Sequence, residues 1–89
     1  MPNSFHLSQN YPNPFNPSTV ISFSVPQEGI VTLRVYDLLG RVVAKLMNEQ
    51  KEPGQYSVTW DASMMPSGMY LYQLNAGGVS QIQKMLLVR

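Results

Sequence analysis

The sequence predicts an all-β fold: an antiparallel sandwich of about seven short strands. Three observations carry this. Apolar and polar residues alternate with period two along most segments, and the apolar positions are largely β-branched or aromatic. Turn-forming residues punctuate the chain at roughly every 8 to 12 positions, the spacing of a sandwich. Apolar residues make up 44% of the 89 and charged residues 12%. That is enough apolar content for a core, and too little charge for a coiled coil or a disordered tail. Together these indicate the immunoglobulin-like (Ig-like) arrangement, here without the cysteine pair that some sandwiches carry.

Taken in order, "FHLSQ" (5–9) alternates Phe5 and Leu7 with polar neighbours, and "TVISFSV" (19–25) sets Ile21, Phe23 and Val25 against serines. "IVTLRVYD" (30–37) puts Val31, Leu33 and Val35 on one face, whereas "RVVAKLM" (41–47) alternates less cleanly. "QYSVTWD" (55–61) aligns Tyr56, Val58 and Trp60. "GMYLYQLN" (68–75) is apolar on both faces and is expected at the centre of a sheet. "SQIQKMLLV" (80–88) is the last strand. The breaks "VPQEGI", "DLLGR", "KEPGQ", "MPSGM" and "NAGGV" have the Pro, Gly, Asn and Asp of turns. Leu38, Val42 and Leu46 also sit at helical spacing, so a helix over 37–52 competes with the strand. The strand is preferred because Gly40 closes an Asp-started turn and Val42-Val43 is β-branched.

The connector "QNYPNPFNPS" (9–18) is neither helix nor central strand. Proline forces the residue before it into extended geometry, and Pro12, Pro14 and Pro17 have no N–H for a ladder. It reads as a structural bridge between the sheets, with Phe15 as an apolar plug; a partner-binding loop is the other reading. Prolines reduce the entropy that ordering the bridge costs, and asparagine side chains can satisfy nearby backbone groups.

Composition excludes several functions. A net charge of +1 with scattered basic residues does not fit a nucleic-acid binder. No apolar run approaches the ~20 residues of a membrane-spanning helix. "MPNSFHLSQN" has neither the basic region nor the apolar core of an export leader, so any export address lies elsewhere. The whole chain, 1–89, reads as one domain, with 1–4 as a linker.

No catalytic or cofactor-binding set is present. With no cysteine and His6 alone, a nucleophile–base pair or a His/Cys metal site has no members, and His6 reads as a surface residue. Asp37 and Asp61 read as turn-bonding carboxylates rather than calcium ligands. Tyr11, Tyr36, Tyr56, Tyr70, Tyr72 and Trp60 leave a carbohydrate-binding or adhesive module as the alternative function. Tyr70 and Tyr72 share a face with Leu74, which favours packing instead.

The order of motifs narrows the reading. "LSQNYPNPFNPSTVISFSVP", "VTLRVYDLLGRVV", "PGQYSVTWDA", "PSGMYLYQL" and "QKMLLVR", in that order from Leu7 to Arg89, closely resemble the C-terminal sorting domain of cargo secreted by the bacterial type IX secretion system. The Ig-like domain of flagellar hook-capping proteins is similar in the middle strands only. The resemblance implies a non-enzymatic, Ig-like secretion signal. Its implied partners are an N-terminal cargo domain absent from this chain, the outer-membrane translocon and a surface sortase. The sortase cleaves ahead of the domain and exchanges it for a surface anchor. The implied location is the periplasm in transit, then the cell surface or the medium. Carried onto this sequence, the family's shared segments are Pro12, Asn13 and Pro14; Gly68, Met69 and Tyr70; and Lys84 followed by Met85, Leu86, Leu87 and Val88. In the last strand, Lys84 shares a face with Leu86 and Val88, so it is expected near a sheet edge, where it either blocks strand pairing or is read by the translocon together with an exposed edge.

Overall fold

The computed structural model describes residues 5–89; the linker expected at 1–4 lies outside them. Seven strands follow in chain order: β1 (His6–Leu7), β2 (Ser18–Val25), β3 (Gly29–Tyr36), β4 (Val42–Lys51), β5 (Gly54–Asp61), β6 (Gly68–Ala76) and β7 (Val79–Leu87). They form a three-stranded sheet, β1-β2-β5, and a four-stranded sheet, β4-β3-β6-β7. Every strand pair is antiparallel. No helix occurs among the described residues, so the helical alternative over 37–52 does not form. Asp37 decides that point: its Oδ1 accepts the N–H groups of Leu39 and Arg41 at 2.9 and 3.0 Å. Gly40 takes the left-handed position with φ +85°, and the chain turns back as β4.

The alternating residues face inward as their spacing dictates. Ile21, Phe23 and Val25 from one sheet meet Val31, Leu33, Val35, Tyr70, Tyr72, Leu74, Met85 and Leu87 from the other, all buried. Burying a side chain of this size is worth about 1.5–3 kcal/mol. β6 lies between β3 and β7, the central place its two apolar faces predict.

Most boundaries shift by a residue from the sequence reading, and three strands differ in ways that matter here. β1 is two residues long, because the chain leaves the ladder after Ser8, whose N–H still bonds Ser22 O at 2.9 Å. β4 runs on to Lys51, and its register against β3 slips twice, between Leu33 and Arg34 and between Val35 and Tyr36. Each slip inserts one extra β4 residue, Leu46 and then Val43, which is why its alternation looked unclean. β7 ends at Leu87, so Val88 lies beyond the strand.

Candidate recognition surface

The proline connector is a bridge, and it does more than cross. At its start Tyr11 pairs with Val20 of β2 through bonds of 3.0 and 2.9 Å. Asn10 is buried and holds the next bend. Its Nδ2 donates to Thr19 Oγ1 at 2.9 Å and to Pro12 O at 3.1 Å, while its Oδ1 accepts Gln9 Nε2 at 2.7 Å. Thr19 Oγ1 donates to the same Pro12 carbonyl at 2.9 Å, so no buried side-chain polar atom is left unpaired among the described residues. The Tyr11-Pro12, Asn13-Pro14 and Asn16-Pro17 peptide bonds are cis.

The bridge then lies along β7 in parallel. Phe15 N–H donates to Leu86 O and Val88 N–H to Phe15 O, each at 3.0 Å. Asn13 Oδ1 accepts Leu86 N–H at 3.0 Å, and Gln9 Nε2 reaches Lys84 O at 2.7 Å. β7 is an edge strand, as the lysine implied, but the exposed edge expected there is closed by the bridge. A proline-rich segment suits this place, since the groups it must supply are few and come from Phe15 and from asparagine and glutamine side chains. Phe15 is the expected plug. It is 1% exposed, and its ring lies 5.8 Å from Trp60, which packs edge-on against Tyr70 at 5.6 Å.

This arrangement brings the bridge segment to a hairpin, β6–β7, that lies far from it in the chain and carries the other two segments. Pro12, Asn13 and Pro14 are exposed on the bridge. Gly68, Met69 and Tyr70 open β6 and pair in turn with Leu87, Leu86 and Met85. Gly68 has φ +150°, a backbone that side-chain-bearing residues rarely adopt, and this accounts for glycine at that position. Tyr70 is buried, and its hydroxyl donates to Pro66 O at 2.7 Å. Desolvation raises its pKa above the usual tyrosine value, Asp37 adds to the rise, and Arg89 opposes it.

The segment after Lys84 divides by face. Met85 and Leu87 are core residues, whereas Lys84 and Val88 are exposed and Leu86 is half-buried. The charge therefore sits on the outer face, where it needs no long stem to reach water. The residues that solvent or a partner can touch are Pro12, Asn13, Pro14, Met69, Lys84, Leu86 and Val88; Tyr70, Met85 and Leu87 shape the surface from beneath.

Sequence reasoning missed Arg89. Its guanidinium donates to the carbonyls of Ser63 and Met65, both at 2.7 Å, and of Ala62 at 3.3 Å, while its N–H bonds Ser67 Oγ at 3.2 Å. It ties the β5–β6 loop to the end of β7. The only sequence signal was a charge after an apolar run, which does not name its acceptors.

The other candidates resolve simply. Asp37 and Asp61 bond turn backbones, as their positions imply. Bonding by the Arg41 N–H, with the Arg41 guanidinium at 2.8 Å, holds Asp37 below the usual carboxylate range. The Ser63 hydroxyl and N–H do the same for Asp61. No group of three or more metal-ligating side chains gathers among the described residues. Of the six aromatics, Trp60, Tyr70 and Tyr72 are buried, Tyr36 and Tyr56 are half-buried, and Tyr11 is 81% exposed.

Residues 9–88 match the family model described as secretion system C-terminal sorting domain. The chain belongs to this sorting-domain family. The match begins at Gln9, where the bridge first reaches β7, and ends at Val88, the last residue bonded to Phe15. No curated protein matches the chain. The sorting domain is a C-terminal signal for type IX secretion, directed toward the cell surface or extracellular space. Its family is not known as catalytic. No helix among its described residues is long and apolar enough to cross a membrane.

Proposed function

We propose that the outer-membrane translocon reads this sorting domain at one patch, formed by Pro12–Pro14 on the bridge, Met69 beside Gly68 and Tyr70, Lys84 and Leu86 on the outer face of β7, and Val88 just after it. The supporting observation is convergence. The bridge segment, more than fifty residues before the β6–β7 hairpin that carries the other two, meets them at Leu86, through Asn13 Oδ1 and the pairing with Met69. Residues 1–89 then act as one unit behind a cargo domain. The cargo passes the periplasm, and the translocon binds the folded patch. A surface sortase cleaves ahead of the domain and exchanges it for a surface anchor.

The test fuses a reporter ahead of the domain in a strain that has the translocon. Lys84→Ala and Met69→Ala change exposed side chains and are expected to leave stability within about 0.5 kcal/mol. Secretion should fall while the melting curve holds, with the reporter retained in the periplasm. Normal secretion of both variants would place the address elsewhere on the domain.

A further inference from the structure

The two sheets end in four edges, and three of them are guarded. β1 is two residues long, and its free side is filled by Gln81 and Gln83 of the opposite sheet: Leu7 N–H donates to Gln81 Oε1 at 3.0 Å, and Gln83 Nε2 donates to Leu7 O at 3.2 Å. β7 is covered by the bridge. β4 is broken by two bulges and carries Lys45. Bulges, lysines, short length and covering segments are the usual devices against edge-to-edge pairing.

β5 has none of these. All eight of its residues pair with β2 in unbroken register, and it contains no proline and no lysine. From Gln55 to Trp60 it bears no charge at neutral pH. Its outer face presents exposed Gln55, Ser57 and Thr59, and on the inner face Tyr56 and Val58 are only half-buried.

We propose that β5 is a homotypic docking edge, pairing antiparallel with β5 of a second copy of this chain about a two-fold axis near Val58. The two three-stranded sheets then become one continuous sheet. The strand is complementary to itself. In this register Ser57 faces Thr59 of the other copy, Tyr56 faces its Trp60, and Val58 faces Val58. Polar positions meet polar positions on the outer face, and apolar ones meet on the inner face. Asp61 falls opposite Gln55, so no like charges are opposed, and the net charge of +1 adds little repulsion between copies. An antiparallel strand paired with itself is a closed two-fold contact, so the assembly stops at two. The eight-residue edge is well short of the roughly 20–30 residues a side of a standard interface, so the dimer is weak and reversible.

Sedimentation equilibrium of the full chain from about 10 μM to about 1 mM covers the range such an interface implies. A monomer–dimer equilibrium is expected. The double variant Ser57→Lys with Thr59→Lys changes two exposed outer-face residues and should melt like the parent. It sets lysine against lysine across the axis, and dimerisation should shift to at least about tenfold higher concentration. The matching variant Ser57→Glu with Thr59→Glu, mixed with the lysine form, should restore a heterodimer. A chain that stays monomeric throughout overturns the proposal, even if another protein's extended segment binds β5. So does a dimer that the lysine pair leaves unweakened, or a lysine–glutamate mixture that fails to associate.

Discussion

The two sides of the sandwich are built differently. On one side β1, the proline bridge and β7 are sewn together by long-range bonds: Gln81 and Gln83 to Leu7, Gln9 to Lys84, Asn13 and Phe15 to Leu86. On the other side no connector among the described residues covers the edges of β4 and β5, which are linked by a short turn in which Tyr56 bonds the Glu52 carbonyl and Lys51 lies 5.1 Å from the Tyr56 ring. The difference shows which side is closed by bonds between the two sheets and which is not. The closed side joins the start of the domain to its end, so the last strand is held by contacts from both sheets. The candidate recognition patch lies there, on the side with these long-range bonds. The open side holds by its own ladders, and within it the unbroken edge of β5 is the one available for strand pairing.

Substitutions should reproduce that asymmetry. The largest loss is expected at Phe15, the plug of the closed side: Phe15→Ala should cost about 3–5 kcal/mol in a denaturant titration, through lost burial and the cavity against Trp60. A loss below about 1 kcal/mol would show the bridge to be a loose linker. Asn10→Ala should cost about 1–3 kcal/mol, because Pro12 O and Thr19 Oγ1 lose a donor in a buried site.

Tyr72 sharpens the comparison through pH. Its hydroxyl donates to Ser8 O at 2.7 Å across the closed side, and burial pushes its pKa up to about 12, opposed by the Asn10 backbone. The folded value lies above the unfolded one near 10. Its contribution is therefore fully present below pH 10 and is lost as pH rises toward 12. The loss should be on the order of 2 kcal/mol, and Tyr72→Phe should remove that part of the alkaline fall in stability. Unchanged alkaline melting in the variant would show that Tyr72 is not the group that titrates.

On the open side, Val58→Ala should cost less than about 1 kcal/mol, since the side chain is half-exposed and leaves little cavity. A cost equal to that of Phe15→Ala would erase the distinction between the sides. The smallest effect is at Asp37. Its pKa is lowered in the fold, so its contribution is present above pH 4 and lost as pH falls through the folded value. Asp37→Asn should slightly flatten the acid limb of a pH–stability profile.

Much of this was legible in the residues. Ile21, Phe23 and Val25, or Tyr70, Tyr72 and Leu74, recur at every second position, and a strand has no other way to bury them. Asp37 and Gly40 marked a turn where Leu38, Val42 and Leu46 alone would allow a helix. The prolines excluded 9–18 from both regular structures, and Phe15 stood out as the apolar aromatic between two Asn-Pro steps. The family's three segments were recognisable one at a time, but not as one patch. The bulges at Val43 and Leu46 left a trace in the unclean alternation of 41–47, but their places show only in the pairing of β4 with β3.

What the sequence determined by itself was local: which residues form strands, which face of each strand is apolar, and where the chain must turn. Periodicity and turn chemistry act over a few residues, and so they can be read from a few. Only the tertiary structure decided the order of strands, the closing of β7 by the bridge, the outward aim of Lys84 and the open edge of β5. Those depend on pairing between segments far apart in the chain, at the extreme more than seventy positions, as for Leu7 with Gln81 and Asn13 with Leu86. A backbone edge carries the same N–H and C=O groups whatever its side chains are. No residue can announce that its edge is closed, because the groups that close it arrive from elsewhere in the chain.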